Sequence, residues 1–236
     1  MKSIYNISLF LSFLFLTTQL TAQRTIEQDR RLGNFDAIEV SSGIDVYLSQ
    51  GNNSSLRVVA NPDVIDDIIT EVAGNKLRIK MKSKTGWNWS KNGEVSKVYI
   101  TMSTLSELTS SGGSDISGET TFKGNQLDIR TSGGSDVEME LDYDEVIART
   151  SGGSDLELEG SVAIFEVHAS GGSDCDARSL EVTDRCFIDA SGGSDTNITV
   201  NGDLKVSASG ASDVHVYGDP KNVQQSSSGA SDVYIQ

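Results

Sequence analysis

Proline is nearly missing from this chain: Pro62 and Pro220 are the only two among 236 residues, beside 23 glycines. Glycine without proline and without a Gly-X-Y period excludes a collagen-like rod, and the frequent Val, Ile and Leu exclude a disordered polar tract. Cysteine is scarce, and none stands directly after the first apolar run, which argues against a lipid-anchored lipoprotein start. Long apolar runs are missing too. The one candidate, Ile7 to Leu16, is too short to span a bilayer. It follows Lys2 and precedes Thr17-Thr18-Gln19 and the small Ala22, the layout of a secretory signal peptide cleaved between Ala22 and Gln23. The remainder is expected to be exported to the periplasm, cell surface or medium, with no membrane span. Positive charge is the last shortage. With Lys2 removed, 34 acidic side chains face 18 basic ones, a net charge near −16. That excess excludes nucleic acid and anionic membrane surfaces as partners.

What the chain has in plenty is one word. Ser-Gly-Gly-Ser-Asp recurs at Ser111–Asp115, Ser132–Asp136, Ser151–Asp155, Ser170–Asp174 and Ser191–Asp195. With Ala for the second Gly it returns at Ser209–Asp213 and Ser228–Asp232. From Asp to Asp the spacings are 21, 19, 19, 21, 18 and 19 residues, and a period near 20 is the signature of a solenoid. Aligned copies place apolar residues in rows. Leu127, Val146, Phe165, Cys186, Leu204 and Val223 stand nine before each Asp, and Ile116, Val137, Leu156, Cys175, Thr196, Val214 and Val233 one after. Polar residues alternate with them, so each unit holds two short period-two strands on either side of a glycine corner. The expected fold is all-β, a parallel β-solenoid with coils of about 20 residues, strands stacking at about 4.8 Å.

Residues 34–109 read as the same solenoid with longer, irregular coils that serve partly as a cap. FDAIEVSSGIDVYLSQG (35–51) alternates as two strands around a degenerate corner, SSGID. LRVVA, NKLRIKMKS and SKVYITMS read as further strands. Between them Asn61 and Pro62 are expected to start a short helix through Val64, Ile65, Ile68 and Ile69 toward Gly74. The organisation is thus a signal peptide (1–22), an N-terminal linker (23–33) and one domain (34–236), with regular repeats over 110–236.

The 35–51 stretch, followed by strand–helix–strand ending in NKLRIKM and then Gly-rich Asp repeats, resembles the head GIN domain family, the autotransporter-adhesin-like proteins common in bacteria of the Bacteroides group. Gly43-Ile44-Asp45 looks like the family's Gly-Ile-Asn word with Asp for Asn. The resemblance runs from residue 34 to about 236. It implies a right-handed parallel β-helix, an envelope or secreted location and a non-catalytic role in adhesion or envelope structure. The family offers no catalytic residues to carry over, and no cofactor is implied.

Candidate chemistry centres on the row Asp115, Asp136, Asp155, Asp174, Asp195, Asp213 and Asp232. Like charges about 4.8 Å apart repel by about 0.9 kcal/mol per pair even in water. Ser hydroxyls and corner N–H groups could offset this locally, or a row of Ca²⁺ could. Ca²⁺-binding β-rolls, however, use a nine-residue Gly-Gly-x-Gly-x-Asp word that this period does not match. A polysaccharide-cleaving enzyme would need one unrepeated cluster, and these aspartates are equivalent by repetition. His168 and His215 fall in different coils. Cys175 and Cys186 lie on inward rows, either as two buried thiols or as a disulfide across one coil. Trp87 and Trp89, in the polar loop KTGWNWSKNG, either stack on sugar rings or fold back over the solenoid end. The partner expected from this reading is a surface glycan or protein, with a second copy at an open solenoid end as a further option.

Overall fold

The computed structural model describes residues 24–82 and 95–236. Among these described residues eighteen strands follow one another: β1 (Ile26–Asp29), β2 (Ala37–Ser41), β3 (Asp45–Gln50), β4 (Ser55–Ala60), β5 (Ile68–Ala73), β6 (Lys76–Met81), β7 (Ser96–Met102), β8 (Glu107–Ser111) and β9 (Ile116–Gly118). The regular array supplies β10 (Phe122–Ser132), β11 (Val137–Ser151), β12 (Asp155–Ser170), β13 (Asp174–Ala190), β14 (Asp195–Val200), β15 (Asp203–Gly210), β16 (Asp213–Tyr217), β17 (Val223–Gly229) and β18 (Asp232–Ile235). From β8 onward every pairing is parallel and joins one coil to the next. The expected β-solenoid is what forms. Each coil has a leading face before the glycine word and a trailing face after it. Long strands such as β11 and β12 run unbroken round the second bend, so both faces belong to one sheet.

Alternation decides which way each strand looks. In β11, Val137, Met139, Leu141 and Tyr143 are buried while Glu138, Glu140, Asp142 and Asp144 are exposed. The rows anticipated as core are core up to the last coil: Val137 and Leu156 are 1% exposed and Val146 and Phe165 0%, whereas Val223 is 43% exposed and Val233 half-buried where no further coil covers them. Since parallel coils repeat in register, Val146 lies beside Phe165 and Phe165 beside Cys186, and the core is a column of like neighbours.

The corner words turn in two ways. At Gly112–Gly113, Gly133–Gly134 and Gly152–Gly153 both glycines have positive φ. From Gly171 onward only the first does, and the second place is taken by Gly172, Gly193, Ala211 or Ala230 in ordinary conformations. The serine that follows is buried in every word. In the first type its hydroxyl accepts the N–H of the equivalent residue one coil away, as in Ile44 N to Ser114 Oγ (3.2 Å), Ser114 N to Ser135 Oγ (3.1 Å) and Ser135 N to Ser154 Oγ (3.2 Å). In the second type the hydroxyl donates to carbonyls, as from Ser194 to Ala169 and from Ser212 to Ala190. The residue before the word differs between many of these corners but does not fix their type, since Thr131 Oγ1 makes no hydrogen bond among the described residues before a corner of the first type and Ser227 precedes one of the second. Ser110 and Thr150 donate their own hydroxyls to the carbonyls of Ser114 and Ser154, whereas Ala169, Ala190 and Ala208 have none to give.

The N-terminal region departs from a plain stack. β2 pairs in parallel with both β6 and β8, and β3 with both β7 and β9. The β2–β3 coil is thus inserted between a β6–β7 coil and the β8–β9 coil, out of chain order. Beyond it the pairing becomes antiparallel: β5 closes on β6, β4 on β7, and β1 on β4. The helix expected after Asn61 is reduced to a single 3₁₀ turn, Ile65–Asp67, and Ile68–Ala73 is β5. The reason is physical: β-branched Ile68, Ile69, Thr70 and Val72 meet a six-residue edge of β6, and a ladder outweighs a helix too short to sustain itself. The Asn61 side chain, expected as a cap, instead accepts from Val95 N–H (2.6 Å) and donates to Arg24 C=O (3.3 Å). In the stretch expected as a linker, β1 forms and Arg30 donates to the carbonyls of Ile65 and Ile68 and to Thr70 Oγ1.

Candidate functional site

The two faces treat charge differently. On the leading face, carboxylates and cations interleave: Lys76 and Arg130 meet Glu107 at 2.8 and 3.0 Å, and Arg130 and Arg149 meet Asp128 at 2.6 and 3.3 Å. On the trailing face, Asp155, Asp174, Asp195, Asp213 and Asp232 stand opposite one another in register, and Asp115 and Asp136 precede them in the same corner position. The degenerate corner adds Asp45, which sits opposite Lys97. Among the described residues none of the seven corner aspartates forms an ion pair.

Backbone donors hold the row. Asp136 Oδ1 accepts the Asp155 N–H at 3.4 Å, and the Asp115 and Asp155 carboxylates accept the N–H of Asp136 and Asp174. The serines therefore serve the turn, and the Asp115, Asp136 and Asp155 carboxylates are served by the next coil. The compensation is partial. Partial burial pushes the Asp115 carboxyl up, and the neighbouring Asp136 charge adds to it. Asp155 is raised by burial and by Asp136 and Asp174 on its two sides. Asp45 is raised by burial, with Lys97 pulling the other way. Among the described residues no group of three or more His, Cys, Asp or Glu is arranged to hold a metal ion.

Two residues beyond the aspartates runs a second outward row. Tyr47 on β3 and Tyr99 on β7 are cross-strand partners whose rings stack at 4.9 Å and 14°. The Arg57 guanidinium covers Tyr99 at 5.1 Å, and Lys97 Nζ lies 5.1 Å from the Tyr47 ring centre and 3.0 Å from its hydroxyl. Beside this wall run the small hydroxyl residues Ser55, Thr101 and Ser49, again mutual strand partners. Wall and floor enclose a trough of about 410 Å³, with Asp29 at one end and Glu119 at the other. A smaller hollow of about 190 Å³ lies on the other side of Tyr47, over Ser117, bordered by Asp45, Asp115, Asp136 and Glu138. Sequence reasoning passed over Tyr47 and Tyr99. The available signal was their shared place in DVYLS and KVYIT, which the common strand register turns into contact.

The remaining candidates scatter. Trp87 and Trp89 lie outside the described residues. Cys175 and Cys186 are free thiols, both fully buried, and burial pushes Cys175 up to about 12 and raises Cys186 likewise. His168 is 2.7 Å from Glu166 on the leading face, while His215 stacks on Tyr234 at 4.7 Å on the trailing one.

A family model described as "Putative auto-transporter adhesin, head GIN domain" matches residues 34–220. Among solved structures, one described as a "putative adhesin" from Bacteroides fragilis superposes with a TM-score of 0.80 at 21% identity, covering 91% of this chain and 98% of that one. A second "putative adhesin", from Parabacteroides distasonis, gives 0.70 at 17%, covering 90% and 97%. A "putative lipid binding protein" from the same species gives 0.62 at 19%, covering 90% and 96%. At such identities the likeness speaks for the fold alone. Among curated proteins none matches.

Proposed function

Since the chain belongs to the family described as "Putative auto-transporter adhesin, head GIN domain", which its residues 34–220 match, we propose that it is a non-catalytic binding protein of the cell envelope or exterior, using its trailing face for adhesion. The observation that carries this is the repetition of that face. Outward side chains recur coil after coil in register, which suits contact with an extended partner and gives the aspartates of the regular row the same surroundings rather than the single distinct setting that catalysis requires. Export rests on the segment 1–22, read as a signal peptide. The acidic excess directs the face away from anionic partners.

To test it, protein beginning at Gln23 is coupled to beads, and their retention is measured on mucin-coated, matrix-protein-coated and bacterial surfaces in competition with soluble protein. Saturable retention on at least one surface is expected, with no sugar released from a panel of polysaccharides. Sugar release would replace the binding reading with an enzymatic one, and beads that wash off every surface would remove it. Fractionation with N-terminal sequencing checks export, expected to yield protein outside the cytoplasm starting at Gln23.

A further inference from the structure

We infer that the trough beside Tyr47 and Tyr99 is a subsite for a neutral oligosaccharide, holding about two sugar rings at the capped end of the solenoid. This rests on the binding reading above and gives it a ligand class. Shape comes first. Elsewhere the trailing face is a ladder of similar side chains, but here Arg57, Tyr99 and Tyr47 stand beside Ser55, Thr101 and Ser49 and leave a hollow of about 410 Å³. That lies within the roughly 300–1,000 Å³ of small-ligand clefts. The wall is also fixed before anything binds, by ring stacking, by the Arg57 guanidinium over Tyr99 and by the Lys97–Tyr47 hydrogen bond. Little ordering is then left for a ligand to impose.

The lining specifies the chemistry. Three hydroxyls can each donate and accept, Asp29 and Glu119 accept, and Arg57 donates. A ligand answering all of them carries many groups that both donate and accept, as a sugar does; an acyl chain would leave them unpaired. Charge narrows the class. Asp29 and Glu119 outnumber Arg57 in the trough, and Asp45, Asp115, Asp136 and Glu138 border the adjoining hollow. A sialylated or uronate-bearing glycan would meet that field unfavourably. Ring geometry adds direction. Tyr99 has Arg57 on one side and Tyr47 on the other, so neither of its faces is free. Tyr47, stacked on Tyr99 and with Lys97 Nζ 5.1 Å from its ring centre, also borders the second hollow, which the small side chain of Ser117 leaves open. A chain leaving the trough can lay its next ring there.

The test titrates neutral oligosaccharides of two to four rings, and their sialylated or uronate-containing counterparts, against protein beginning at Gln23, first on an array and then by calorimetry. Neutral glycans are expected to bind and acidic ones not to. Tyr47→Ala and Glu119→Gln should each weaken binding roughly tenfold, the worth of one good contact. Ser49→Trp should block the trough, and Glu157→Gln, in the middle of the array, should bind as the parent does. Thermal melts check that each variant is folded. The inference falls if folded parent binds no neutral glycan, if acidic glycans bind better, or if Tyr47→Ala and Ser49→Trp both bind like the parent. The adhesion reading is tested separately: beads that still adhere while the array is blank sink the subsite alone.

Discussion

Gly153 and Gly172 hold the same place in two identical Ser-Gly-Gly-Ser-Asp words, yet a methyl group should distinguish them. Gly153 has φ of 71°, in the left-handed region, whereas Gly172 has an ordinary φ and nothing within 4 Å of where a Cβ would stand. Gly153→Ala should therefore cost about 1–2 kcal/mol, and Gly172→Ala should be neutral or stabilise by up to about 1 kcal/mol through the unfolded chain. Denaturant melts of the two variants decide it; equal losses would mean that the corners do not differ. The words themselves could not reveal this. The residues before them do differ, and the Thr150 hydroxyl holds the Ser154 carbonyl where Ala169 has none to offer, but Ser227 stands before a corner of the same type as Gly172's, so the preceding residue alone is no signal. A second prediction concerns Asp155. Folding raises its pKa, so the folded state holds the proton more tightly than the unfolded chain does, and the ionised form carries a penalty at neutral pH. That penalty fades as pH falls through the folded pKa toward the usual 3.8. Asp155→Asn keeps an oxygen for the Asp174 N–H and should stabilise by less than about 1 kcal/mol at pH 7. The gain should vanish at low pH, as melts across the range from 7 to 3 would show.

Strands of the regular array were legible because the same alternation was written many times, so one ambiguous copy could not mislead. Each row was in effect read by several residues, and Phe165 is where it gathers most weight: it is fully buried between Val146 and Cys186 of the flanking coils. Phe165→Ala should cost about 3–5 kcal/mol, and a melt unchanged from the parent would refute the row assignment. The 61–74 segment shows the opposite case. It is written once, its Asn-Pro opening suits a helix, and only the edge of β6, supplied by residues further along the chain, makes it a strand. The trough was hidden for the same reason. It arises where β4 lies antiparallel on β7, bringing Arg57 over Tyr99, and a pairing outside the repeat leaves no period to read.

At the scale of the whole molecule, one face lined with corner carboxylates should make stability depend on ionic strength. Melting temperature is expected to rise mildly with NaCl as screening lengths shorten, and Ca²⁺ should do no more than Na⁺ of equal ionic strength. Several degrees of extra stabilisation by millimolar Ca²⁺ would show cations bound along the aspartates after all. Repetition also makes coils separable. Excising residues 137–155 joins Asp136 to Leu156, the register partner of Val137, and should leave a shorter folded protein that still melts in one transition. Removing residues 37–50 should leave an unfolded chain, since β2 and β3 are bordered on both sides.

That insertion of β2–β3 between coils written later in the chain sets a timetable. For a polypeptide emerging from a pore N-terminus first, residues 37–50 arrive early but cannot be completed until residue 118 has followed, because β9 is among their neighbours. The opening half must come through slack, paying the closure of long loops before any coil is whole. After that the economy of the process changes: each new length of chain meets a finished edge one coil back and locks onto it. Every coil so added opposes backward slippage, so the later part of the molecule is a ratchet, and the antiparallel cap is the pawl that must be seated before it can turn.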